Sequence, residues 1–153
     1  IRRELQEGGY LRPDTDRKRM KQAKLPPMRF ESTDGYPIYV GRNNRQNDEL
    51  TFRLARKDDI WCHASKVHGS HVIISCGGTT PPDDTVTQAA QLAAYYAETG
   101  GGQNIPVDVT AVKQVKKIPN GKPGMVIYHT YRTVIANPYP DIVVDALNAE
   151  TKE

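Results

Sequence analysis

The run "DDIWCHASKVHGSHVIISC", residues 58–76, contains two strand-like segments joined by a short polar connection. "DIWCHA" and "SHVIISC" are rich in β-branched and aromatic residues, which favours strands. Successive side chains of a strand point to opposite faces, so Trp61 and His63 are expected on one face, where His71 can join them from the second strand. The run therefore predicts two strands of a sheet with an aromatic and histidine face.

The same run holds the chain's single tryptophan and three of its four histidines, which raises the hypothesis of a zinc site. Cys62 and His63 are adjacent, so on a strand they point to opposite faces and cannot both turn to one ion. His68 and His71 are three apart across a glycine, and no C-x-x-C pair is present. The spacing argues against a metal site.

A cysteine nucleophile needs a base that a third group orients. The candidates are Cys62 or Cys76 with His63, His71 or His129, but free cysteines on strands are usually buried small apolar groups. If the two strands paired symmetrically about Gly69, Cys62 would face Cys76 as a neighbouring thiol. We expect packing roles for both cysteines.

Other catalytic patterns are also weak. Asp58 and Asp59 are adjacent and diverge on a strand, which argues against a paired acid and base. No phosphate-binding glycine pattern is present, and "GGGQN" at residues 100–104 follows a predicted helix rather than opening one. We therefore expect a protein that is not an enzyme and uses no cofactor.

The segments before this run predict a hairpin and a helix. Asp34-Gly35 is a hairpin turn signal between an extended segment with Phe30 and one with Ile38 and Val40. In "RNNRQNDELTFRLARK", residues 42–57, Asn43 or Asn44 can cap a helix, and the basic residues Arg53, Arg56 and Lys57 fall near its end, where the helix dipole favours them. Leu50 and Leu54 would form its buried stripe. Arg45, Glu49, Arg53 and Lys57 would form an opposite row, most simply a solvated ladder of ion pairs.

The segments after this run predict a second helix and a long hairpin. Thr85 with Gln88 resembles a capping box for "VTQAAQLAAYYAE", and the alanines of this helix allow close packing on a sheet. "IPVDVTAVKQVKKI" and "MVIYHTYRTVIANP" alternate as strands on either side of "PNGKPG". Four lysines would lie near that turn, namely Lys113, Lys116, Lys117 and Lys122. Residues 141–153 suit either a helix or a strand, and the order predicts a single α+β domain with a largely antiparallel sheet and two or three packed helices.

Composition fits a globular domain with a basic leader. The 153 residues are 37% hydrophobic and 25% charged, with a net charge of +3. Residues 1–30 carry nine basic and four acidic side chains, so the excess of positive charge lies in the leader. We expect residues 1–27 to be the end of a preceding helical region and a basic linker, and residues 28–153 to be the domain. No apolar run approaches the roughly 20 residues of a membrane span.

A binding surface is the remaining reading of the aromatic and histidine face. An exposed Trp61 with His63 could stack a nucleobase while basic side chains hold phosphates, namely Arg42, Arg45, Arg53 and Lys57. The competing reading places Trp61 in the core and leaves the histidines to cap loops. Residue patterns alone favour the core reading.

The run "DGYPIYVGRNNRQNDELTFRLARKDDIWCHASKVHGSHVII", residues 34–74, closely resembles the NFACT-R domain, also called DUF814. The similarity continues through "AAQLAAYYAE", "VDVTAVKQVKKIPNGKPGMV" and "YRTVIANP", and covers about residues 28–139. Where many family members have an aliphatic residue between the tryptophan and the histidine, this chain has Cys62, which we expect to be a packing change.

The resemblance implies a role in ribosome quality control. Full-length family members bind the large ribosomal subunit that carries a stalled nascent chain, together with tRNA, and direct template-free tailing, with alanine in bacteria. This C-terminal domain is proposed to bind RNA, and its partners would be the large subunit, tRNA and peptidyl-tRNA in the cytoplasm. The alternative is a surface adhesin, because streptococcal members are also described as binding fibronectin without a signal peptide. The predicted RNA-binding residues are Arg42, Asn43, Asn44, Arg45, Gln46, Asn47, Arg53, Lys57, Trp61, His63, Ser70, His71, Lys113, Lys116, Lys117 and Lys122.

Overall fold

The structure is a computed structural model that describes residues 25–98 and 102–138. The expectations for residues 1–24 and for 141–153 lie outside the described residues. The elements are β1 Met28–Glu31, β2 Pro37–Val40, α1 Asn44–Glu49 continued by a π-helical turn Leu50–Leu54, β3 Ile60–Ala64, β4 Val72–Ile74, α2 Asp83–Tyr95, β5 Ile105–Ala111, a 3-10 turn Val112–Gln114, β6 Lys116–Lys117, β7 Val126–Ile127 and β8 Arg132–Ala136.

Six strands form one antiparallel sheet in the order β1-β2-β4-β3-β5-β8. The strands predicted in the opening run, β3 and β4, are its two middle strands. β6 and β7 form a separate two-stranded hairpin. The predicted α+β class with a largely antiparallel sheet and two packed helices is confirmed.

One face of the sheet packs against α2. Cys62 and Ala64 of β3 and Val107 and Val109 of β5 point to this side, where the alanines and Leu92 of α2 are buried. Alanine side chains let the helix approach the strands closely, as the sequence predicted. Asp83 and Asp84 lie in the first turn of α2, where the helix dipole favours negative charge.

The opposite face is covered by the π-helical turn and the chain that follows β5. Trp61 and Ile73 point to this side and pack with Leu50, Val112 and Val115. The sheet is therefore buried on both faces near its centre, which explains why Trp61 of a middle strand has no exposed surface.

The predicted helix over residues 43–57 is shorter than expected. It ends at Leu54, and its last turn is π-helical, with the Ala55 N–H bonded to the Leu50 carbonyl. A π turn widens the helix and rotates the residues after it. Leu54 is consequently 58% exposed, so its prediction as a buried residue is wrong, whereas Leu50 is buried as predicted.

The start of α2 also differs from the prediction. The helix begins at Asp83 after Pro82, not at a capping Thr85. Thr85 Oγ1 lies 2.9 Å from both Ser32 Oγ and Asp34 Oδ2, so the buried hydroxyl joins the helix to the β1–β2 turn. The capping-box prediction fails because these tertiary partners use the side chain that the local pattern assigned to the cap.

The predicted long hairpin is interrupted. β5 pairs with β8 as expected, but the 3-10 turn separates β5 from β6, and the β6–β7 hairpin stands apart from the sheet. The expected facing of the two cysteines is also wrong, because Cys62 pairs with Val72 in the observed register. Cys62 and Cys76 are both buried free thiols.

Candidate nucleic-acid interface

Four rings cluster on the face of the sheet opposite α2. The Trp61 ring stacks on His63 with centroids 5.6 Å apart, and its centroid lies 5.3 Å from that of His71. Tyr128, from the chain after β7, approaches Trp61 edge-on at 4.8 Å. The prediction that Trp61, His63 and His71 share one face is confirmed.

Two of the four rings in this cluster are buried. Trp61 is 0% exposed and His71 is 1% exposed, so neither presents a ring face to solvent. The reading of Trp61 as an exposed stacking platform is therefore wrong, and the core reading holds. His63 is half-buried and remains accessible from the outer side.

His71 holds three elements together. Its Nδ1 lies 2.7 Å from Thr51 Oγ1 and its Nε2 lies 3.1 Å from the Gly124 carbonyl. The carbonyl can only accept, so Nε2 carries the proton and Nδ1 accepts from the threonine hydroxyl. Burial, with the nearby His63, lowers the pKa of His71 to about 3. The ring is neutral and acts as a structural bridge between the π-helical turn and the β6–β7 hairpin.

His63 also has a lowered pKa, caused first by burial. Its Nδ1 lies 2.7 Å from the Ala64 carbonyl oxygen and donates to it, which fixes the ring against Trp61. A neutral imidazole in this position can stack or hydrogen-bond, but it adds little positive charge near pH 7.

The block "GRNNRQND" is mainly structural. Asn43 caps α1 by accepting from the Gln46 N–H. Gln46 accepts from the Arg42 N–H and donates to the Leu25 carbonyl. Asn47 is buried, and its Oδ1 accepts from the His71 N–H. The three side chains satisfy backbone groups. Gln46 and Asn47 are also buried, so their exposure gives no support to their prediction as RNA contacts, whereas Asn43 is exposed and its prediction stays a prediction.

An open cavity of about 800 Å³ lies beside Trp61; we call it the Trp61 cavity. It brings together Asn44, Trp61, His63 and Lys122, four of the residues that the sequence predicted to bind RNA. It also adds residues that the prediction missed, namely Lys66, Val67, His68, Gly69, Pro123, Gly124, Met125, Val126 and Tyr128. Its lining includes two lysines and no carboxylate.

A second groove of about 370 Å³, which we call the lysine groove, lies along β6, whereas the Trp61 cavity lies along β7 and the loop before it. It gathers four predicted residues, Lys57, Lys113, Lys116 and Lys117. Lys117 Nζ lies 2.6 Å from Asp48 Oδ2, which ties the hairpin to α1 and neutralises that charge. Three lysines of this groove form no ion pair within residues 25–98 and 102–138.

The remaining predicted residues lie outside these two depressions. Arg42 donates from Nε to the Pro26 carbonyl, and Arg45 lies beside Pro26 in a different surface depression. Arg53 is exposed at the π-helical turn, and Ser70 is half-buried before β4. These residues are not brought to the Trp61 cavity.

Tyr128 depends on a buried carboxylate. Its hydroxyl donates to Asp108 Oδ2 at 2.6 Å, and Thr133 Oγ1 donates to Asp108 Oδ1 at 3.2 Å. Burial and the Asp108 carboxylate raise the pKa of Tyr128, so its hydroxyl stays protonated. The alternation of β5 could have indicated an inward Asp108, but its tyrosine partner is set by tertiary folding.

Two absences concern the described part of the chain. Within it, no three His, Cys, Asp or Glu side chains lie close enough together to hold a metal ion. None of the helices in that part has the length and apolar character needed to cross a membrane.

Comparison with known proteins identifies similar chains. The family described as "NFACT protein RNA binding domain" matches residues 27–130. The chain is 45% identical over 147 residues to the Rqc2 homolog RqcH of Bacillus subtilis and 43% identical over 139 residues to that of Streptococcus pneumoniae. These matches cover 94% and 90% of this chain but only 25% of either relative.

A solved structure also matches the fold. It is described as the C-terminal part of the fibronectin/fibrinogen-binding protein from Streptococcus suis. The TM-score is 0.75 with 40% identity, and the match covers 80% of this chain and 50% of that one.

Proposed function

Because this chain belongs to the NFACT protein RNA binding domain family, we propose that it is the RNA-binding module of a ribosome quality control factor. The module binds tRNA or ribosomal RNA on large ribosomal subunits that hold stalled peptidyl-tRNA, and so supports template-free alanine tailing by the whole protein. It acts in the cytoplasm as a binding domain and not as an enzyme. The naming of its relatives as Rqc2 homologs supports this role.

The observation that carries the proposal is the arrangement of positive charge about the β6–β7 hairpin. Lys66 and Lys122 line the Trp61 cavity along β7 and the loop before it, and Lys113 and Lys116 line the lysine groove along β6. A nucleic-acid strand that crosses the hairpin would meet the lysines of both depressions. Phosphate neutralisation by lysine releases counterions, which makes such binding salt-dependent.

The test is a titration of the chain with single-stranded RNA and with tRNA at several salt concentrations. Affinity should fall steeply with salt, with a slope of about 0.7 per phosphate neutralised on a single strand. The double variants Lys66→Gly/Lys122→Ala and Lys113→Ala/Lys116→Ala should each reduce that slope by roughly 1.4.

A matched control removes two positive charges elsewhere. Arg29 of β1 and Arg56 after the π-helical turn both lie along a third depression, away from the hairpin. Arg29→Ala/Arg56→Ala should leave the salt slope unchanged. Equal losses from all three double variants would contradict a defined interface and would indicate only a general effect of net charge.

The alternative function is fibronectin binding, which the description of the Streptococcus suis protein favours. The feature that could serve it is β8, an end strand of the sheet, since such a strand can accept an extended peptide. Adding fibronectin to the same titration separates the two functions. Fibronectin binding that survives both lysine double variants, together with no measurable RNA binding, would replace the proposal.

A further inference from the structure

The Trp61 cavity contains a hydrogen-bond donor with no acceptor. Trp61 Nε1 is buried, and among the described residues it is the one buried side-chain nitrogen or oxygen without a partner. A buried N–H group that lacks an acceptor destabilises the folded protein. Such an exception calls for an explanation, and an acceptor supplied by a ligand is one.

The neighbouring polar side chains do not supply that acceptor. Both ring nitrogens of His71 are bonded, and the Tyr128 hydroxyl is bonded to Asp108. His63 stacks on the indole, and neither of its ring nitrogens accepts from the indole N–H. Trp61 itself lines the cavity, and because its Nε1 has no exposed surface, a molecule that bonds this nitrogen must displace a neighbouring side chain.

The residues that line the cavity indicate which kind of molecule would bind there. Lys66, Lys122 and His68 offer positive or hydrogen-bonding groups, and no carboxylate opposes an anion. Val67, Met125 and Val126 add apolar surface suited to the face of a flat ring. A group that combines a flat ring bearing acceptor atoms with flanking negative charge is a nucleotide within a nucleic-acid strand.

We infer that the Trp61 cavity holds a single unstacked nucleobase of a single-stranded RNA segment. An acceptor atom on the base receives the Trp61 Nε1–H, and Lys66 and Lys122 contact the phosphates on either side. This inference rests on the proposed RNA binding and adds to it where one base enters. Trp61 therefore serves recognition through its N–H and not through a ring face, since His63 stacks on it and the ring is buried.

The chain provides its own probe for this binding. Trp61 is its single tryptophan, so its fluorescence reports this cavity alone. Two labelled RNAs of about 12 nucleotides, within the range of single-strand site sizes, should be compared: one intact and one abasic throughout its centre with the same number of phosphates. Binding is measured by anisotropy of the label, and base entry by emission of Trp61.

The intact RNA should bind roughly 5-fold to 150-fold more tightly than the abasic RNA and should change the Trp61 emission. The abasic RNA should bind through its phosphates and leave the emission unchanged. Equal affinities with unchanged emission would overturn the inference while RNA binding stands. No binding of either RNA at low salt would instead contradict the proposed function.

Two variants separate the contacts. Trp61→Phe keeps a ring in the core but removes the donor, so it should abolish most of the preference for intact RNA. Lys66 has φ 60°, a backbone conformation that glycine adopts without strain, so Lys66→Gly removes the charge without disturbing the turn. This variant should lower the affinity for both RNAs by a similar factor and keep the change in Trp61 emission on binding of the intact RNA.

The control variant is Arg29→Ala, which removes one charge from β1 and should alter neither measurement. If Trp61→Phe fails to fold, the emission comparison with the native tryptophan and with Lys66→Gly still decides the outcome. A Trp61→Phe protein that folds and keeps the full preference for intact RNA would overturn the role of the indole N–H.

Discussion

Gly41 lies so close to Asn47 that its position admits no side chain. A Cβ atom there would overlap Asn47 Oδ1 and lie 2.9 Å from Asn47 Cγ. Asn47 cannot move away without cost, because the same Oδ1 accepts from the buried His71 N–H. The glycine and the asparagine of "GRNNRQND" are therefore one packing unit.

Gly41→Ala should destabilise the protein by about 1–3 kcal/mol, since extra atoms in a packed site force backbone shifts. The free energy of unfolding from urea denaturation measures this loss. Asn47→Ala removes the clash but leaves the His71 N–H without its acceptor, so the double variant should lose less than the sum of the single losses. Additive losses would contradict the shared site.

His71 predicts a pH dependence of stability. Its pKa is about 3 in the folded chain against an ordinary 6.5, so the unfolded chain binds the extra proton between these values. Its contribution is present in full above about pH 6.5 and is lost as the pH falls toward 3, by at most about 1.4 kcal/mol per pH unit. His63, whose pKa is also lowered, acts in the same direction.

His71→Gln provides the test, because glutamine keeps hydrogen-bonding atoms and does not titrate. Urea unfolding at pH 7 and pH 5 should show a smaller loss of stability on acidification in this variant than in the parent chain. The comparison uses the pH slope of each protein and not their absolute stabilities. Parallel slopes would show that His71 titrates normally in the folded state.

At the scale of elements, α2 is positioned by Thr85 and Gln88, the two side chains that the sequence predicted to cap the helix. Thr85 contacts Ser32 and Asp34 of the β1–β2 turn, and Gln88 Nε2 donates to Thr33 Oγ1 at 2.9 Å. The helix itself was predictable from its alanines and its Thr and Gln residues. The bonding partners were not, because they lie more than 50 positions away in the sequence.

Thr85→Val should cost about 1 kcal/mol, because it keeps the shape of the side chain and removes its hydrogen bonds to Ser32 and Asp34. Thr87→Val on the same helix is the matched control, since Thr87 is exposed and its loss should stay within about 0.5 kcal/mol. Thermal or urea unfolding measures both variants. Similar small effects at the two positions would refute the docking role of Thr85.

The end of α1 and the hairpin after β5 show where element prediction failed. The sequence periodicity predicted that α1 continues past Leu54. In the structure the helix ends there in a π turn, Leu54 is exposed, and Phe52 packs against the buried cluster instead. Alternation likewise extended β5 into β6, although the 3-10 turn Val112–Gln114 breaks the strand. In both places the sequence identified the apolar residues, but the predicted directions of their side chains were wrong.

At the scale of the whole molecule, the sheet separates two packed layers, and each of its faces contributes side chains to one of them. α2 covers one face, and the π-helical turn with the chain after β5 covers the other. The layers share the backbone of β3, whose Cys62 points to one side and Trp61 to the other. If the sheet came apart, the apolar side chains of both layers would be exposed to solvent.

The two layers should therefore unfold together. Trp61 emission reports the outer layer, and far-UV circular dichroism reports the helices and strands of both layers, so urea curves from the two signals should coincide. A single transition with the same midpoint in both signals is the expected result. Two separated midpoints would show that the outer layer opens while α2 remains docked.

The sequence by itself determined the α+β class, the two middle strands, both helices and the common face of Trp61, His63 and His71. Alternation and turn residues are local properties, and they survive folding because they define which side of each element is apolar. The NFACT-R resemblance likewise followed from contiguous residues, and it is confirmed by the family match.

Only the tertiary structure decided the exposure of these residues. A strand pattern shows which side chains share a face, but burial depends on what covers that face, and here distant segments cover Trp61 and His71. The Trp61 cavity arises in the same way, since Lys66 and Lys122 meet only when the β6–β7 hairpin folds across β3. Contacts between residues far apart in sequence leave no local signal, which is why the site emerged from the fold.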